Sequence, residues 1–197
     1  SGTYTFSNDI AGDAGIIKNG TGELVLSGKN TFTGGTKVNA GRLKLGNQYV
    51  SSLEIAKMGT VETTENANLE NGIKNEGTYV NSGSNTVIGG NYVASSSSKY
   101  VSELGASAYV KGQAELNGTL EASAVKDGEQ QYITARGVKE NIITSDNAIK
   151  GNFSNVETET LLNADVEKSE NSVDVNLSRK NVEDYVSTLS LSDTMRN

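Results

Sequence analysis

Few residues of this chain have both the type and the spacing to do chemistry. Histidine and cysteine are absent. That removes the Ser-His-Asp triad, the commonest general base, thiolate nucleophiles, disulfides and the usual zinc ligand sets. Ser97-Ser98-Lys99 has the types of a Ser–Lys catalytic pair, but it ends a run of four serines, and a polar strand accounts for it. Carboxylates that cleave a glycoside, or that hold calcium beside a basic residue, must cluster on one strand face. The closest pairs are Asp9 with Asp13, near the start, and Glu62 with Glu65, which read as part of a polar loop. Both pairs read as solvated surface charge. Gly34-Gly35-Thr36 lacks the Lys-Ser/Thr ending of a phosphate loop and the aspartates of a calcium nonapeptide. Asn19-Gly20-Thr21, Asn117-Gly118-Thr119, Asn152-Phe153-Ser154 and Asn176-Leu177-Ser178 match the glycosylation sequon, and turns and strand polarity explain them. No catalytic, metal-binding or cofactor-binding residue is assigned, and no cofactor is implied.

The aromatic residues are the remaining group with chemical character. Tyr79, Tyr92, Tyr100 and Tyr109 fall at strand positions, and Tyr132 and Phe153 follow them. Facing outward, such rings make a carbohydrate platform; facing inward, they stack and stabilise. With eight Tyr, three Phe and no Trp in 197 residues, structural use is the reading taken. Together with Gly118 and Leu120, the residues Tyr92, Tyr100, Tyr109, Tyr132 and Phe153 are the candidates for a structural or folding role.

The elements that position them are set by a repeated phrase: glycine, any residue, an apolar residue, then alternation. It begins at residues 2, 22, 41, 59, 77, 98 (blurred, with Ser98 in the glycine place) and 118. The intervals are 20, 19, 18, 18, 21 and 20. Alternation such as Leu24/Leu26, Leu43/Leu45 and Leu120/Ala122 marks strands with one buried face. Asn-Gly and Gly-Gly turns lie between them. About 19 residues is too short for a helical repeat of 33 or more, and long enough for one coil of three short strands. Coils about 4.8 Å apart would pair in parallel and stack like phrases into ladders. A meander or sandwich also explains alternation, but it predicts no constant interval.

The rhythm fails after residue 125. Gln131 to Ala135, Asn141 to Thr144 and Gly151 to Val156 read as short strands, and Leu161–Val166 with Ser172–Leu177 as a hairpin about Lys168–Asn171. A solenoid end with unpaired backbone groups needs a cover, and this hairpin is the expected one. From Asn181 the period changes: Val182, Tyr185, Val186 and Leu189 share a helical face, so 181–197 reads equally as a short helix or a linker. The organisation is thus 1–125 coils, 126–180 cap and 181–197 linker. Ser1-Gly2-Thr3 is an unusual start, and the sequence reads as a piece of a longer chain.

A formal net charge of −7 disfavours nucleic acid and anionic membrane surfaces as partners. No run of about 18 apolar residues is present. A hydrophobic fraction of 35% suits a narrow core shared among coils.

Residues 20–45, Gly-Thr-Gly-Glu-Leu-Val-Leu-Ser-Gly-Lys-Asn-Thr-Phe-Thr-Gly-Gly-Thr-Lys-Val-Asn-Ala-Gly-Arg-Leu-Lys-Leu, closely resemble the passenger-associated repeat of bacterial autotransporters. Val87 to Leu104, Val110 to Leu120, Gln131 to Ile133, Gly151 to Phe153 and Asn171 to Val182 resemble the autochaperone, or stalk, region that precedes the membrane barrel in that family. Residues 46–84 match by rhythm alone. The resemblance implies an all-β, right-handed parallel β-helix, pertactin-like, of about 18–21 residues per coil, closed by a C-terminal β-hairpin. It implies export through the periplasm and outer membrane to the cell surface, with the C-terminal part (about 85–180) folding first. The implied partners are a C-terminal membrane barrel and an upstream passenger domain, neither within this sequence. On this reading the segment is a non-enzymatic stalk and autochaperone that displays an upstream effector. The alternative is an adhesin-type module contacting host glycans, proteins or sister passengers.

Overall fold

A computed structural model of the chain describes residues 2–181. The region read as a helix or linker, beyond Asn181, lies outside the described residues. Among the described residues every regular element is a strand, and nearly all pairings are parallel. The chain winds as a parallel β-solenoid whose walls are three ladders of stacked strands.

The first ladder is built from the repeated phrase. Thr3 pairs with Glu23, Glu23 with Arg42, Arg42 with Thr60, Thr60 with Thr78, Thr78 with Lys99 and Lys99 with Thr119. Each is the residue after a phrase start, so the intervals read in the sequence are the stacking register itself. An eighth rung follows: Thr119 pairs with Asn155 and Leu120 with Val156. The second ladder runs through Gln48–Tyr49, Asn68–Leu69, Thr86–Ile88 and Ala108–Val110 to Val138–Ser145. The third runs through Ile16–Lys18, the starts of Thr36–Leu45 and Leu53–Thr63, then Ile73–Asn75, Tyr92–Ala94, Ala114–Leu116 and Lys150–Gly151.

Alternate residues of each strand point into the bore, where Val38, Leu43, Leu45, Ile55, Val61, Ile88 and Leu120 are wholly buried. At the corners consecutive coils approach so closely that a side chain does not fit. A Cβ on Gly118 would stand 2.2 Å from the Ser98 carbonyl oxygen, and its φ of +70° is also one that L-residues avoid. A Cβ at Gly59 would meet the Val38 oxygen at 2.2 Å. The phrase therefore opens on glycine because the coil beneath occupies that space.

Between the seventh and eighth rungs the chain leaves the wall. Val125–Lys126 and Glu129–Gln130 form a small antiparallel hairpin, and residues 131–137 run irregularly. The strand expected over Gln131–Ala135 is thus absent. Its Gln131 N–H still bonds the Ala124 carbonyl at 2.8 Å, but the segment has no ladder to join. The strand expected over Gly151–Val156 is split, because Asn152–Ser154 turn the corner between Lys150–Gly151 and Asn155–Glu157. Leu162–Lys168 and Ser172–Arg179 form the expected hairpin. Its second strand lies antiparallel on Val138–Ser145, covering the end of the second ladder.

Candidate functional site

The core changes character along the rod. Phe32 and Tyr49 meet edge to face at 5.3 Å among aliphatic side chains. Further on, Tyr79, Tyr92 and Tyr100 form a triangle with ring centres 5.4–5.8 Å apart. These rings come from successive turns and from two different walls, because Tyr79 and Tyr100 stand in the first ladder and Tyr92 in the third. Tyr100 then reaches Phe153 at 6.0 Å, which sits at the corner of the last turn under the cap. Offset and edge-on rings contribute about 0.5–1.5 kcal/mol per pair beyond their area. The space they fill is opened by small neighbours, with Ala94, Ala108, Ala114 and Ala122 at inward positions.

Each buried phenol has a polar partner, from a stacked rung for Tyr79 and Tyr92 and from another wall for Tyr49 and Tyr100. The Tyr49 hydroxyl lies 2.6 Å from Thr36 Oγ1, and that of Tyr79 lies 2.8 Å from Thr63 Oγ1. Asn75 Nδ2 donates to the Tyr92 hydroxyl at 3.2 Å, and Tyr100 donates to the Ile142 carbonyl at 3.4 Å. Tyr100 thereby ties the core to the strand on which the hairpin lies. Burial pushes all four phenols well above the usual tyrosine range, and the bonds to Thr36, Thr63 and Asn75 only partly offset it.

The cap is clamped by a carboxylate. Glu159 accepts from Ala124 N at 2.8 Å and Ser123 Oγ at 2.9 Å, and from Thr158 Oγ1 at 3.0 Å. Burial alone would raise its carboxyl, and its own backbone N–H together with these hydrogen bonds outweighs that, holding it below the usual range. The clamp links the residues just after the seventh rung to the chain just before the hairpin.

The sequence candidates divide between core and surface. Leu120, Tyr92 and Tyr100 are buried in the bore, and Gly118 makes the corner beside Leu120. Phe153 is half-buried against the core. Tyr109 points outward, 38% exposed, and donates to Asp146 at 2.5 Å. Tyr132 is 76% exposed, with the Arg179 guanidinium 5.1 Å over its ring. The reading of Glu62 as a loop charge needs correction. It lies next to last in the strand Leu53–Thr63, is buried, and binds Arg42 at 2.5 Å and Lys44 at 3.1 Å. Burial works to raise its carboxyl, and the hydrogen bonds and charges of Arg42 and Lys44 outweigh it, leaving it lowered. Glu65 is exposed on the turn and bonds Ser84. Ser97 and Ser98 bond the carbonyls of Glu76 and Ser95, whereas Lys99 pairs with Glu121 and Glu157, so the Ser–Lys types are not engaged with each other. Tyr49, Phe32, Asn75 and Asn81 were not singled out from sequence. The phrase shows inward positions only in the first ladder, and these residues belong to the other walls or replace an apolar residue at an inward site.

Among the described residues no cluster of acidic side chains stands ready to hold a metal ion. What fold and core define is a stacked-coil rod, filled with aromatics towards one hairpin-covered end.

The passenger-associated-transport-repeat family model matches residues 16–45, so the chain carries an autotransporter passenger repeat. Over 58 residues it is 40% identical to the autotransporter lipoprotein NalP of Neisseria meningitidis serogroup B, a match covering 29% of this chain and 5% of that protein. Over 57 residues it is 40% identical to an extracellular serine protease of Serratia marcescens, covering 29% and 6%. Over 44 residues it is 48% identical to the adhesin BmaC autotransporter of Brucella suis, covering 22% and 1%. The chain thus spans about one twentieth of the length of the first of these relatives. Autotransporter passengers are exported through the outer membrane to the cell surface or beyond.

Proposed function

We propose that this chain is a non-enzymatic β-helical stalk whose C-terminal part, about residues 85–180, acts as an autochaperone during secretion. The observation that carries the reading is the continuous aromatic contact from Tyr79 through Tyr92 and Tyr100 to Phe153. It couples several coils to the covered end, so this part gains stability as one unit. Earlier coils have an already formed edge to add onto, a nearest-neighbour process with little long-range search. If the C-terminal part emerges first, folding outside the cell opposes backsliding, and burial with hydrogen bonding helps drive export without ATP. On this reading a membrane barrel follows the stalk and an effector domain precedes it. The serine protease among the relatives matches over only 6% of its length, so its activity is not assigned to this segment.

Pulse-labelled hydrogen exchange during refolding tests the order. Amides of Tyr92–Leu120 and Val138–Leu177 should become protected first, and those of Glu23–Leu45 last. Earlier protection of Glu23–Leu45 contradicts the proposal.

A further inference from the structure

The chain segment that leaves the wall after the seventh rung does not lie flat. With the start of the hairpin it encloses an open groove of about 440 Å³. Tyr132 and Ile133 form one side, Leu161 and Leu162 the other, and Arg179 lies between them. Ile133 and Leu162 are packed into the protein, whereas Tyr132 is 76% and Leu161 47% exposed. The two exposed side chains thus stand on opposite sides of one concave surface.

The charge of the groove sets the chemistry of its occupant. The Arg179 guanidinium lies against the Tyr132 ring, and among the described residues no carboxylate pairs with it. Lys180, next along the chain, lines the neighbouring hollow with Glu157 and Asp165, its ammonium donating to the Thr160 carbonyl at 2.9 Å. Glu159 also lines the groove, but its oxygens are committed to Ser123, Ala124 and Thr158. Glu159 keeps its charge there, so what the groove offers an occupant is the unpaired Arg179 guanidinium, a planar donor fork suited to a carboxylate. We propose that it binds an extended segment of another polypeptide, one that places an apolar side chain between Tyr132 and Leu161 and a carboxylate on Arg179. The inference rests on this groove alone and stands whether or not residues 85–180 nucleate folding.

The test uses the full chain and three fluorescein-labelled nonapeptides with a central Phe-Leu, flanked by Asp and Glu, by Lys, or by Ser. Fluorescence anisotropy should show saturable binding of the acidic peptide, with a Kd below about 1 mM. The Lys-flanked peptide should not bind, and the affinity should fall with added salt. Arg179→Gln should weaken the acidic peptide about tenfold, and Leu161→Ser should weaken the acidic and Ser-flanked peptides alike. Thermal melts should show both variants folded, since both sites lie at the surface. Equal binding of all three peptides, or no saturable binding of the acidic one, overturns the proposal. Binding that appears only after Val182, Tyr185 and Val186 are all changed to Ser also overturns it, because the occupant is then the chain's own tail.

Discussion

Between Glu23 and Thr63 the inward positions of the first ladder are Leu24, Leu26, Leu43, Leu45, Val61 and Thr63, whereas between Thr78 and Ala122 they are Tyr79, Asn81, Tyr100, Ser102, Leu120 and Ala122. The backbone pairing is the same in both regions. A branched aliphatic side chain reaches the rungs directly above and below it, so the early coils depend on near neighbours. A tyrosine reaches across the bore, and Tyr79, Tyr92 and Tyr100 join two walls and successive turns. The late coils are thus joined to one another and to the covered end, through the Phe153 ring and the Ile142 carbonyl, and on the proposed reading they unfold as one unit.

The largest effect that sharpens this contrast is expected from Tyr100→Ala, about 3–5 kcal/mol by urea denaturation. It should weaken exchange protection throughout residues 79–180. Leu43→Ala, at about 2–4 kcal/mol, should weaken protection chiefly in the adjoining coils. Equal spread of the two effects would erase the distinction. Gly118→Ala follows at about 2–4 kcal/mol, from the close Ser98 carbonyl and the positive φ. Gly20→Ala, where an added Cβ meets nothing within 4 Å, should stay within about 0.5 kcal/mol.

The two regions should also answer differently to pH. The buried phenols titrate higher folded than unfolded, so the stability they supply is complete below about pH 10 and falls as pH rises above it. Three of the four, Tyr79, Tyr92 and Tyr100, lie in the late coils. Alkaline loss of exchange protection should therefore begin there. Glu62 has the opposite sign: its folded carboxyl titrates lower, so its contribution is present above about pH 4.3 and is lost as pH falls. Arg42 and Lys44 are more than a third exposed, so solvent screening keeps the cost of Glu62→Gln to about 1 kcal/mol at neutral pH. Its unfolding midpoint should converge with that of the parent as pH falls and Glu62 is protonated. A similarly small effect is expected from Tyr132→Ala, under about 1 kcal/mol, because its ring is solvated and meets Arg179 at the surface.

The register of the first ladder was legible in the sequence because most of its corners open on glycine, and those glycines keep count of the coils. The eighth rung was not, since residues 123–137 intervene and Ser154 stands in the glycine place. Glu62 read as a loop residue because alternation shows which way a side chain points, not what neighbours cover it. Tyr100 and Tyr109 have similar strand contexts and opposite fates: Tyr100 occupies an inward position, and Tyr109 sits between the buried Ala108 and Val110. The hairpin was legible from its polar turn and paired alternation. The groove at Tyr132 was not, because it arises where two segments distant in sequence meet.

The measurement that bears most directly on the central claim is a pair of deletions followed by urea unfolding. A chain beginning at Gly41, without the first two coils, should keep a single cooperative transition. A chain without residues 126–180 should lose cooperativity or aggregate. If the chain without 126–180 unfolds as cooperatively as the whole, the late coils do not depend on the cap, and the autochaperone account is contradicted.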